Sequence, residues 1–498
     1  MKTKKLSLIT ALFAIFLTSC SKDDEVLDQE FTSTNPEDEE IVETGELEVQ
    51  EFIYKGMNNI YLYKEDVPEL GDEYFATTTE KNDFLEDFNA PENLFAGVKS
   101  YRDRFSFITD DYNELEESFR GITSSTAGMK FGLGRISGSN NIFGFLQYVI
   151  PGTSAADAGL TRGTIFTEID GQKMTLNNFQ ELMEAESFSI KIAKIEDGYL
   201  QPSDERVTLE NFSYTSNPVQ LVKTLDVEGK KVGYLMYNSF IADFDEELNA
   251  AFAQLKSEGV TDLVLDLRYN GGGSVESAID LASMITGQFQ GKMFMKEQWN
   301  EEYQEYYEAN NSERLVNRFN GKIRTGEAIN SLNLSKVYVL TSNSTASASE
   351  LVINGLEPYI DVVQIGEKTT GKFQASVTLY DSPNFQKEGA NENHTYAIQP
   401  LVFKSANAEG KSDYEDGLVP DITYSEKVSN LGTLGDPSEP LLQAALNHLL
   451  GKAQIAHKKG NENLRKVGES GMYNAGYQKM YLDAVPEVLL KRAEEKNQ

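Results

Sequence analysis

Lys336-Val337-Tyr338-Val339-Leu340-Thr341-Ser342-Asn343-Ser344-Thr345-Ala346-Ser347-Ala348-Ser349-Glu350-Leu351-Val352-Ile353-Asn354-Gly355 is the stretch on which the fold turns. Its first five residues are β-branched, aromatic or aliphatic after the lysine, as a buried strand requires. From Glu350 to Leu356 the spacing is helical. Between them lie small and hydroxyl residues. A strand running straight into a helix is the unit of a layered α/β domain. A serine at that junction sits at a helix N-terminus, where free N–H groups favour developing negative charge. Serine and threonine are also ordinary helix caps, so the junction alone does not make Ser347 reactive.

Strands and helices alternate on both sides of it. Val232–Tyr237, Leu263–Leu267 and Val362–Ile365 read as further buried strands, and Phe244–Ser257 as a helix between two of them. This gives an α/β core over residues 216–430. Upstream, residues 120–215 read as a compact β module: short apolar strands at Phe131–Ile136, Phe143–Ile150, Phe166–Ile169 and Ile190–Ile195 are separated by turn signals, with one helical stretch at Leu176–Ala185. Residues 46–119 have helical spacing. Residues 431–498 read as a C-terminal helical tail with a helix near Leu441–Leu450. The fold class expected is therefore a multidomain α/β (α+β) protein with a helical N-terminal domain.

The base for such a serine is not an obvious histidine. The chain has only His394, His448 and His457, none at a strong strand-end position. No Gly-x-Ser-x-Gly elbow or His-Glu-x-x-His helix is present. A lysine serves if burial keeps it neutral. Gly366-Glu367-Lys368-Thr369-Thr370-Gly371-Lys372-Phe373 offers one after a strand. It nearly matches a phosphate loop, but Phe373 stands where a hydroxyl is needed, and Gln374–Tyr380 alternates as a strand does.

Together, Ser344–Glu350 and Gly366–Lys372 resemble the core of the C-terminal-processing (tail-specific) serine peptidases. The resemblance implies Ser347 as nucleophile and Lys372, 25 residues on, as general base, with Ser349 and Lys368 the weaker choices in their clusters. Asp266-Leu267-Arg268-Tyr269-Asn270-Gly271-Gly272-Gly273 resembles the family's Gly-rich segment, which implies an oxyanion hole from the N–H of Ala348 and that of Gly271 or Gly272. A third catalytic member stays open between Gln374 and Ser376. Many relatives have a glutamine four residues after the lysine, where Ser376 stands here, and others an aspartate where this chain has Pro358. Pro151–Leu160 and Gly163–Gly171 resemble a PDZ domain, which implies a carboxylate nest near Phe131, Gly132, Leu133 and Gly134 that takes an extended peptide with a free C-terminus. No metal or cofactor is implied.

Three lysines within Met1–Lys5, an apolar run Leu6–Leu17 and then Leu17-Thr18-Ser19-Cys20 read as a signal peptide, 1–20. The position of Cys20 resembles a bacterial lipobox, which implies lipidation there. Residues 21–45 read as an acidic disordered tether. Lys22-Asp23-Asp24-Glu25 resembles the surface-export signal of Bacteroidetes lipoproteins. The expected location is the cell envelope, lipid-anchored to the outer membrane and open to surface exposure. The formal net charge of −34 argues against nucleic-acid partners, since such a surface repels phosphate. Two other readings remain: a catalytically inactive PDZ-type peptide-binding surface lipoprotein, and a glycan binder, which would need an exposed aromatic platform around Trp299, the one tryptophan.

Overall fold

The structure, a computed structural model, describes residues 47–496 except 137–138, 197–198, 454–463 and 475. The expected signal peptide, Cys20 and acidic tether lie outside the described residues. Among those residues no helix is long and apolar enough to cross a membrane.

The N-terminal part is helical as expected: α1 (Glu48–Ile60), α2 (Thr78–Glu86), α3 (Pro91–Gly97) and α4 (Tyr112–Phe119). Phe52, Ile53, Met57 and Ile60 of α1 are buried in the same apolar cluster as the main core. The module that follows is an antiparallel sheet of β1 (Met129–Ile136), β2 (Ile142–Val149), β3 (Ile165–Ile169), β4 (Ser187–Glu196) and β5 (Tyr199–Glu210), with a short helix α5 (Phe179–Met183). It has a core of its own around Phe131, Leu146, Phe166 and Ile190. Gly132, Gly134 and Gly144 are required there because a Cβ would fall 2.1–2.2 Å from the rings of Phe145, Phe143 and Phe166.

The α/β core has β6 (Val219–Val227), β7 (Lys230–Tyr237), α6 (Asp245–Ser257), β8 (Asp262–Asp266), β9 (Gly273–Ser274), α7 (Val275–Thr286), β10 (Met293–Trp299), β11 (Lys336–Thr341), α8 (Ala348–Leu356), β12 (Asp361–Gly366), β13 (Gln374–Ser376), β14 (Leu401–Asn407) and β15 (Ile422–Thr423). One sheet runs β6-β7-β8-β11-β12-β15, parallel from β7 to β15. Its strands are almost continuously apolar because both faces are covered. Val339 and Leu265 face one apolar cluster, Tyr338 and Val264 the other. Beyond α9 (Pro440–Leu449), the expected helical tail is interrupted by two strands, β16 (Leu464–Glu469) and β17 (Met480–Tyr481), before a last helix, α10 (Glu487–Lys496). Both pair with sequence-distant strands. β16 lies on β1, and β17 lies between β9 and β13 in a second sheet ordered β9-β17-β13-β14-β10. Neither segment has a periodicity of its own, so it is the free edges it meets that make it a strand.

Candidate active site

Parallel strands deliver their loops to one end of the sheet, where open α/β sheets bind their ligands. The loops after β8, β11 and β12 carry the Gly-rich segment, Ser347 and Lys372. Ser347 is the residue before α8 and has φ +67° and ψ −117°, a conformation costly for a residue with a Cβ. Its side chain makes no capping bond, and the Oγ is buried without a hydrogen-bond partner.

What holds it is Glu350. One carboxylate oxygen, Oε2, accepts from the backbone N–H of Ser347 and of Lys372, both at 2.8 Å. The other, Oε1, accepts from Gly371 N at 2.7 Å and Thr369 Oγ1 at 2.5 Å. A single buried side chain therefore fastens the serine loop to the lysine loop, and Thr370 N to Thr345 O at 3.0 Å adds a second tie. Burial pushes the Glu350 carboxyl up, and these donors offset only part of that rise.

Lys372 is fully buried, and its Nζ has no hydrogen-bond partner. Burial lowers its pKa well below the ordinary value. The charge of Lys479 acts in the same direction, while Asp103 and Glu350 oppose it. The Phe105 ring centre is 5.5 Å from Nζ. Lys479 sits close by on the same ring's residue, its Nζ donating to Phe105 O at 3.1 Å. Its own pKa is pushed down to about 8, first by burial and then by the charge of Lys99.

The Gly-rich loop lies against the serine. A Cβ on Gly272 would be 2.7 Å from Ser347 Cβ and 3.0 Å from Ala348 N, and φ there is +109°. Asn270 shapes the loop. Its Oδ1 accepts from Gly272 N at 2.8 Å, while its carbonyl accepts from Ala346 N at 3.2 Å and Ser349 Oγ at 3.1 Å. The Gly272 N–H is therefore occupied. Asp266 and Arg268 form an ion-pair network with Glu439 and Glu426 that Arg162 of the β module joins.

The two candidates for a third member do not bond Lys372. Gln374 Nε2 donates to Tyr63 OH at 3.0 Å, and Ser376 Oγ bonds Gln399 Oε1 at 2.8 Å and Met480 O at 3.1 Å. Phe131, Gly132, Leu133 and Gly134 lie inside β1, paired with β2 on one side and β16 on the other, rather than in a loop nest. Trp299 is buried, its Nε1 donating to Glu297 Oε2 at 2.9 Å among Tyr303, Tyr307 and Phe403. That removes the aromatic platform a glycan binder would need. Sequence reasoning missed Lys479 and Phe105, which reach the site from 107 residues after and 267 before Lys372. It used Glu350 only as a landmark, although an acid at the third position after a capping serine is itself a tie signal.

The sequence model described as Peptidase family S41 matches residues 231–424, and that of the Peptidase S41 N-terminal domain matches 48–107. The first match spans all three loops just described. The chain belongs to peptidase family S41. As an S41 member it is a serine-type peptidase, with a mixed α/β fold. It is 26% identical over 349 residues to a carboxyl-terminal-processing protease of Synechocystis sp., covering 69% of this chain and 74% of that one. A second carboxyl-terminal-processing protease, from Picosynechococcus sp., is 25% identical over 361 residues, covering 70% of this chain and 78% of that one. Among solved structures, an S41 protease of Bacteroides fragilis superposes with a TM-score of 0.64 at 29% identity, over 80% of this chain and 97% of that one.

Proposed function

We propose that this S41 peptidase is an endopeptidase that works through a Ser347–Lys372 dyad and cuts exported proteins near their C-termini. The observation that carries the dyad is that two buried groups without hydrogen-bond partners, Ser347 Oγ and Lys372 Nζ, belong to loops tied by one carboxylate. A neutral amine can take the Oγ proton as Oγ attacks the scissile carbonyl. The ammonium so formed returns that proton to the leaving amine, and water then cleaves the acyl-enzyme by the same steps. The oxyanion is held by the N–H groups of Ala348 and Gly271. Gly271 is preferred to Gly272, whose N–H already bonds Asn270.

The β module acts as a PDZ-like domain: β1 has an edge, taken by β16 in this structure, on which an extended peptide adds as a strand beside α5. The mature chain is anchored by lipid on Cys20 in the cell envelope, at the outer membrane. The names of its relatives, carboxyl-terminal-processing proteases, favour C-terminal substrates. The test is labelling with an active-site serine reagent: modification of Ser347 in the parent and none in Ser347→Ala supports the dyad. Equal labelling of both refutes it.

A further inference from the structure

The edge of β1 is already occupied. Residues 464–469 run antiparallel to it, with Leu464 opposite Ile136, Arg465 opposite Arg135, Lys466 opposite Gly134, Gly468 opposite Leu133 and Glu469 opposite Gly132. Ser470 extends the pairing: its N–H donates to Phe131 O at 2.8 Å, and its Oγ accepts from Phe131 N at 3.3 Å. Val467 and Met472 pack against the module's core, and the Tyr473 ring lies 5.9 Å from Phe179 of α5. This is strand addition plus side-chain anchoring, the manner in which a sheet edge beside a helix takes a peptide. The segment belongs to the chain itself and continues beyond Tyr473, so its seating uses no terminal carboxylate.

The same segment touches the loop that carries the nucleophile. Lys466 Nζ donates to Ser344 Oγ at 3.0 Å and Asn343 Oδ1 at 3.3 Å, and Ser344 Oγ donates to Glu469 Oε2 at 2.6 Å. A cleft of about 450 Å³ lies between these groups and Leu176 of the module. The segment is moored at both ends. Upstream, 14 residues (450–463) join it to α9; downstream, Gln478 Nε2 donates to Thr370 Oγ1 at 3.0 Å and the buried β17 follows. Between the moorings its side chains are only partly covered, from Lys466 to Ser470, and Tyr473 is 53% exposed. Met480 of β17 is 0% exposed. A stretch whose side chains are only partly covered can leave its groove without unfolding the core.

We infer that Leu464–Tyr473 is a tethered competitor: it fills the peptide groove of the β module, clasps the nucleophile loop through Lys466 and Glu469, and must be displaced by a substrate. The inference rests on the peptide-groove reading above. A short tether holds its occupant at an effective concentration in the millimolar range. A groove of intrinsic Kd in the tens of micromolar is then free about 1–10% of the time, and apparent affinity for any other peptide falls about tenfold or more.

The experiment uses the full chain with Cys20→Ala, which removes the one cysteine. Arg135→Cys with Arg465→Cys then places two cysteines directly opposite across β1 and β16, within the Cα spacing a disulfide spans. Separately, Val467→Asp loosens the segment. The probe is a fluorescein-labelled peptide of the segment's own sequence, Leu-Arg-Lys-Val-Gly-Glu-Ser-Gly-Met-Tyr, followed by anisotropy, with unfolded casein as the cleavage substrate. The oxidised double-cysteine chain should neither bind the probe nor cleave casein, and reduction should restore both to the level of the single-cysteine controls. Val467→Asp should bind the probe about tenfold more tightly than its parent and cleave faster. Equal binding and cleavage by the oxidised and reduced forms, or an unchanged Kd in Val467→Asp, overturns the inference. Probe binding that follows the lock while no form cleaves casein sinks the dyad reading and leaves the groove assignment standing.

Discussion

At the scale of single residues, the proposed dyad joins two groups in unfavourable states. Ser347 pays for its position in backbone strain, with φ at +67°. Ser347→Ala should abolish casein cleavage and leave the melting curve nearly unchanged. Ser347→Gly should be equally inactive but about 1 kcal/mol more stable than Ser347→Ala, since glycine adopts that conformation freely; equal melting of the two variants would show that the strain is absent. Lys372 is unfavourable in the other sense, as a buried amine with no partner. Its pKa in the folded chain lies below its ordinary value of 10.5. Between those two values the unfolded chain binds the extra proton, so stability rises with pH across that window and the deficit is gone above the unfolded value. Lys372→Met should therefore be inactive yet more stable than the parent at pH 7, by about 1–3 kcal/mol, the usual penalty on a buried unpaired polar group. Denaturant melts at a series of pH values should show that gain shrinking toward pH 10. Lys372→Arg should also be inactive, because a guanidinium keeps its proton. Peptidase activity of the parent should rise with pH as the amine becomes neutral.

Ser347 and Lys372 could be singled out from sequence as candidates because both follow strands that are plain in the pattern, and their spacing matches a known family. The choice between Gly271 and Gly272 could not, because it depends on where the Asn270 side chain points.

At the scale of elements, the site is a junction of three strand-end loops, and Glu350 is the bolt through two of them. It receives three backbone N–H groups and one hydroxyl. Glu350→Gln turns one acceptor oxygen into a donor that faces donors. The cost should be about 2–4 kcal/mol, given that hydrogen bonds to a charged group contribute about 1.5–3 kcal/mol each. Thermal melts of the variant check this, and kcat should fall at least tenfold as the two loops separate. A variant that melts and turns over like the parent would mean that the loops are held elsewhere.

Core strands were legible almost to the residue, Lys336–Leu340 against the observed Lys336–Thr341 for example, because a strand covered on both faces must be apolar throughout. The helix expected over Leu176–Ala185 is shorter, Phe179–Met183. The strands β16 and β17 were not legible at all. Leu464-Arg465-Lys466-Val467-Gly468-Glu469 has no apolar alternation, and its extended form comes from an edge more than 320 residues away in sequence.

At the scale of the whole molecule, the β module, the helical N-terminal part and the core converge on one place. Phe105 covers the lysine, Arg162 joins the network of Arg268, and the C-terminal stretch runs along the module and then past the Gly-rich loop. Anchoring belongs to this scale too. Cys20→Ala should move the mature protein from the membrane pellet to the soluble fraction, since stable attachment needs more than one acyl chain and a lipidated N-terminal cysteine is the group expected to carry them. Retention of the variant in the pellet after a high-salt wash would point to another anchor.

The position of β17 also sets a schedule. It is the strand between β9, which follows the Gly-rich loop, and β13, which follows the lysine, and the residue before it supplies Lys479. A polypeptide is made from its N-terminus onward. Ser347 and Lys372 therefore emerge more than a hundred residues before the strand that joins the Gly-rich segment to the lysine segment. Until β17 is clear of the machinery that makes the chain, the candidate site lacks one wall. On the proposed dyad, the peptidase is unarmed while it is still being made.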